Sequence, residues 1–66
     1  MTVETYEVYS VEVGDTLVIA GSLYVVSSIE PDDNGYLLRL TDEEGYGKMI
    51  SAGEFDRVKV LIPEFD

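Results

Sequence analysis

Apolar residues in this chain come in short runs. Gly, Asp, Asn and Glu interrupt them every several positions, at Gly14-Asp15, Gly21-Ser22, Asp32-Asp33-Asn34-Gly35, Glu43-Glu44-Gly45 and Gly53. The runs between these marks are rich in Val, Ile, Leu and Tyr. Such regular turn punctuation is the pattern of a small β sandwich or barrel. No segment long enough for a stable helix repeats apolar residues at i, i+3, i+4 and i+7.

Read from the N-terminus, the first run covers residues 3–13, where Tyr9, Val11 and Val13 alternate with Ser10 and Glu12. A turn at Gly14-Asp15 leads to a short strand at 16–20, and Gly21-Ser22 turns the chain again. Residues 23–32 and 36–41 flank Asp33-Asn34-Gly35. Asn-Gly is the preferred pair for a two-residue type I′ turn, because both central residues need φ > 0. With Asn34 and Gly35 central, Asp33 faces Tyr36, Glu30 faces Arg39 and Ile29 faces Leu40. One hairpin face then collects Val25, Ile29, Leu38 and Leu40, and the other Tyr24, Val26, Leu37, Glu30 and Arg39. A tight turn at Glu43-Glu44-Gly45 precedes a strand at 46–50, which Gly47 weakens. Ser51-Ala52-Gly53-Glu54 matches the S-x-x-E capping box and predicts one helical turn, with Phe55 plugging an end of the barrel. Val58, Val60 and Ile62 then alternate along a last strand that Pro63 ends.

The expected fold is all-β: about five to six short antiparallel strands with one short helical turn before the last strand. This order resembles an SH3-like small barrel, and Val11-Glu12-Val13-Gly14-Asp15 resembles the V-x-V-G-D entry of several such barrels. The likeness covers residues 11–62, within a single domain of residues 1–66. Residues 1–10 form an N-terminal strand or arm, and residues 63–66 an acidic tail. The chain is also similar to short bacteriophage proteins of unassigned function, those of actinobacterial phages in particular. The similar features are Val13-Gly14-Asp15, Tyr24-Val25-Val26, Leu38 and Leu40 before Thr41-Asp42-Glu43-Glu44-Gly45, and Phe55-Asp56-Arg57-Val58. These are turn and core residues, so the resemblance implies an origin and carries no activity with it.

Composition narrows the chemistry. The 66 residues include no Cys and no His, which removes disulfides, thiolate metal sites and the commonest general base and zinc ligand. So short a chain buries roughly 60 % of its unfolded surface, leaving little room for a deep pocket. The 14 Asp and Glu against 4 Lys and Arg give a net charge of −10. That charge repels nucleic-acid phosphates and anionic membranes, so neither is expected as a direct partner. It keeps a small protein soluble, and it suits a protein partner with a basic surface. Met1-Thr2-Val3-Glu4 lacks the basic and apolar segments of a signal peptide, so the expected location is the cytoplasm, that of the host if the chain is phage-encoded.

Candidate sites are few. Residues 30–35 begin like a calcium loop, with oxygen ligands at alternate positions and Gly sixth, but Thr41 stands where the twelfth-position Glu belongs. An ordinary turn explains the same residues. The serines have no His partner for a nucleophilic triad, and no glycine motif cradles phosphate. No catalytic residue, cofactor or metal is therefore expected. The candidate protein contacts are Tyr24, Val26 and Leu37 on the second hairpin face, with the acidic tip Asp42, Glu43 and Glu44. The expected function is a small acidic non-enzymatic protein-interaction module. The alternative is an acidic inhibitor that imitates DNA and blocks a nucleic-acid-binding protein. The third is a structural subunit that oligomerises.

Overall fold

Strand pairing organises the chain. The computed structural model describes residues 2–63, and in it six strands form one antiparallel sheet. They are β1 (Thr2–Glu7), β2 (Thr16–Ile19), β3 (Ser22–Asp32), β4 (Gly35–Asp42), β5 (Gly47–Ala52) and β6 (Arg57–Ile62). Their order in the sheet is β1-β6-β2-β3-β4-β5, so the last strand lies between the first two. Thr2 stands opposite Ile62 and Glu7 opposite Arg57, so the N-terminal segment pairs within its own sheet. Of the acidic tail expected at 63–66, only Pro63 lies among the described residues.

The period-2 pattern puts alternate residues of each strand on one inner face. Across the sheet Val60 faces Leu17, Leu17 faces Tyr24, Val26 faces Leu40, and Leu38 faces both Ile29 and Ile50. Leu17, Val26, Leu38, Leu40 and Val60 are fully buried, and Val8 and Val11 join them from the connection after β1. Each such side chain contributes about 1.5–3 kcal/mol through burial. Val8 donates its N–H to the Asp56 carbonyl (2.8 Å) and Tyr9 to the Glu54 carbonyl (3.2 Å). These bonds tie the β1–β2 connection to the β5–β6 connection.

The helical turn is not where the capping-box pattern places it. A 3-10 turn occupies Val8–Ser10, after β1. Before β6 the chain makes a plain turn: Gly53 N–H donates to Asp56 Oδ2 (2.8 Å) and Asp56 N–H to the Gly53 carbonyl (3.0 Å). Ser51 is still in β5, and its hydroxyl donates to Asp32 Oδ2 (3.2 Å) instead of capping a helix. Phe55 plugs nothing: it is 70 % exposed and packs edge-on against Tyr9, centroids 6.0 Å apart.

The hairpin exists, but its register differs from the expected one in two ways. Asp32 faces Gly35, Glu30 faces Leu37 and Ile29 faces Leu38, so the central turn residues are Asp33 and Asn34. A shift of two preserves the faces, which is why Ile29 and Leu38 still point inward. A β-bulge between Val26 and Ser28 then reverses parity for the rest of β3. Val26 therefore falls in the core at 1 % exposure, and Val25 turns outward at 46 %. Gly35 is required for two reasons. Its φ is +150°, and a Cβ there would meet the Ala52 carbonyl and lie 2.7 Å from Gly53 Cα. The β2–β3 turn is centred on Ala20-Gly21, not Gly21-Ser22, since Ile19 faces Ser22. Ala20 adopts φ +52°, a conformation that disfavours a residue with a Cβ.

Candidate interaction surface

Two turns lie side by side at one end of the sheet, because Tyr24 near the start of β3 faces Asp42 at the end of β4. Gly21, Ser22, Leu23 and Tyr24 from one side, with Asp42, Glu43 and Glu44 from the other, line an open depression of about 530 Å³. Two separate features of the sequence, the Tyr24 strand and the acidic tip, thus become one surface. Among the expected contacts, Tyr24, Asp42, Glu43 and Glu44 meet here. Leu37 does not: it lies on the outward register, between Glu30 and Ser51. Val26 is withdrawn as a contact, since the bulge buries it.

The acids at this end have different roles. Asp42 Oδ1 accepts the N–H groups of Glu44 and Tyr46, both at 2.9 Å. Asp42 N–H donates to the Tyr46 carbonyl (2.9 Å) and Gly45 N–H to the Asp42 carbonyl (3.1 Å). One Asp42 oxygen therefore builds the turn, with Gly45 at φ +90° completing it. Glu43 and Glu44 are exposed at its tip.

Tyr24 is half-buried and packs against the core. Lys48 Nζ from β5 lies 5.3 Å from its ring centroid, within cation–π range. Sequence reasoning missed this contact, because the register of β3 on the N-terminal side of the bulge decides which residues Tyr24 meets. It also missed the Tyr9–Phe55 pair, which brings two exposed rings together from connections 46 residues apart in the chain. The local sequence holds no signal for that pairing.

Elsewhere several polar groups serve the fold. Asp32 Oδ1 accepts the Asn34 N–H (2.8 Å) while Oδ2 receives the Ser51 hydroxyl, so the calcium-like residues form a turn. Among the described residues, no group of three His, Cys, Asp or Glu is placed to hold a metal ion. Tyr6 is half-buried, its hydroxyl donating to Glu4 Oε2 (3.3 Å). Desolvation, and then the nearby Glu4 charge, raise its phenol above the usual value. Among the described residues, no helix is long and apolar enough to cross a membrane. Comparison with protein-family models, curated proteins and solved structures finds no match for this chain.

Proposed function

We propose that this chain is a small, acidic, non-enzymatic protein-interaction module on an SH3-like barrel, phage-encoded and acting in the host cytoplasm. It docks through the end of the sheet where Tyr24 meets the acidic tip. The observation that carries this reading is the depression itself. It sets an aromatic ring beside Asp42, Glu43 and Glu44, and so offers one partner both apolar area and negative charge. The net charge of −10 favours a partner with a basic surface and speeds its encounter at low salt.

The test is affinity capture from a bacterial host lysate with three proteins: the parent, a Glu43→Gln/Glu44→Gln variant and Tyr24→Leu. The reading expects a specific protein held by the parent, weakened by either variant and released by salt. Equal recovery with all three proteins would place the contact elsewhere. A fourth protein, Asp32→Asn/Asp33→Asn/Glu43→Gln/Glu44→Gln, tests the DNA-imitating inhibitor: loss of capture confined to it would favour that reading instead.

A further inference from the structure

Lys48 is exposed on an edge strand, and its side chain is long and mobile. Its ammonium nevertheless lies over the Tyr24 ring, 5.3 Å from the centroid. Tyr24 also packs against the core. The protein's own cation thus covers one face of the ring. Three carboxylate residues border the adjoining depression. Asp42 is tied into its turn, whereas among the described residues nothing holds the side chains of Glu43 and Glu44.

We propose that Lys48 is a built-in occupant of a cation-accepting site, and that an arginine side chain of a partner displaces it. The inference rests on the docking reading above and names the group that docks. The occupant already present shows the chemistry that the ring accepts, a positive charge against a tyrosine face, and the same ring borders the depression with Asp42, Glu43 and Glu44. Arginine meets those demands better than lysine. Its planar guanidinium stacks on an aromatic face, is more weakly hydrated, and bonds a carboxylate through two parallel N–H groups. Glu43 and Glu44 supply that carboxylate. Lys48 is a weak competitor because a cation–π contact at an exposed position is a small term. The site is thus closed to stray contacts yet opens to a ligand with one more favourable interaction. Displaced Lys48 returns to water, where a strongly hydrated ammonium is well accommodated.

The probe is acetyl-Gly-Arg-Gly-amide, compared with the citrulline peptide, which has nearly the same shape and no charge. Binding is followed by NMR shifts of the Tyr24 ring and of the amides of residues 42–46 in the full chain. Four proteins are compared: the parent, Lys48→Gln, Lys59→Gln and Glu43→Gln/Glu44→Gln. Lys59→Gln removes the same charge from an exposed position on β6, outside the residues that line the depression, and so corrects for the change in net charge. The proposal expects Lys48→Gln to bind the arginine peptide about two- to fivefold more tightly than Lys59→Gln does. It also expects no response to citrulline and weakened binding when Glu43 and Glu44 are neutralised. Equal affinity of Lys48→Gln and Lys59→Gln would overturn the occupant role and leave the docking surface standing. No arginine-dependent shift at Tyr24 in any of the four proteins would overturn both.

Discussion

The two turns that bound β4 are both acidic, yet they differ in what holds them. At the first, Asp32 uses both carboxylate oxygens: one on the Asn34 N–H and one on the Ser51 hydroxyl of β5. Gly35 lies against the backbone of the β5–β6 turn. The second is held by its own side chain: Asp42 accepts two N–H groups of its own loop, and among the described residues no side chain of another strand bonds to it. The first turn is thus part of the packed body, and the second projects from it. An acid-rich stretch of sequence is therefore not itself an acidic site. In each turn one aspartate shapes the backbone, and only the remaining acids are available to a partner.

That comparison is sharpest at Gly35. Gly35→Val introduces a β-branched residue at φ +150° and drives its Cβ into the Ala52 carbonyl. Strain and overpacking together predict a loss of about 3–5 kcal/mol. In so small a domain that removes much of the stability, so urea midpoints of parent and variant should differ widely. A small difference would show that the first turn is not locked to the β5–β6 turn.

A smaller effect is expected at the second turn. Asp42→Ala leaves the Glu44 and Tyr46 N–H groups to water and should lower stability by about 1–2 kcal/mol. Hydrogen exchange at the Tyr46 amide should accelerate, while core amides such as Leu38 change only with global stability. Acceleration spread evenly over the molecule would contradict a self-contained turn.

Ala20→Asn tests a third turn and carries the opposite sign. Ala20 at φ +52° occupies a left-handed position of a two-residue hairpin, where Asn is favoured. A gain of about 0.5–1 kcal/mol in stability, read as a higher urea midpoint, is expected. Smallest of all is Glu43→Gln/Glu44→Gln, within about 0.5 kcal/mol of the parent. Relief of like-charge repulsion should raise its melting temperature slightly at low salt, a gain that fades by 0.2 M, where the screening length has fallen to roughly 7–8 Å. A clear destabilisation would mean that these glutamates help build the turn.

Most of the architecture was legible because it depends on local signals. Alternation marked strands such as β6 but misled in the first run, where Tyr9, Val11 and Val13 lie beyond β1, in the 3-10 turn and the connection to β2; Gly, Asn and Asp marked the turns. Tyr24 and the acidic tip were recognisable as surface groups. What the sequence concealed depends on counting across strands. An Asn-Gly pair that normally occupies the centre of a turn here straddles it, because Gly35 is needed where the chain passes Ala52 and Gly53. Ser27 is the extra residue that reverses parity, and its hydroxyl donates to the Arg39 carbonyl (3.1 Å). Nothing in Val25-Val26-Ser27-Ser28 announces that reversal, since both valines suit either face. The exchange of Val25 for Val26, and the meeting of Lys48 with Tyr24, follow from that one residue.

The position of β6 governs how the protein is made. A ribosome that has delivered residues 1–53 has produced five of the six strands. The sheet is nevertheless still in two pieces, β1 alone and β2 to β5 together. The edges of β1 and β2 that receive β6 keep unpaired N–H and C=O groups until residues 57–62 emerge. Closure then joins Thr2 to Ile62 across nearly the whole described chain, a slow kind of contact to form. A transcript broken before residue 57 therefore yields no smaller version of the domain. It yields a strand and a half-sheet with adhesive edges, material for chaperones and proteases.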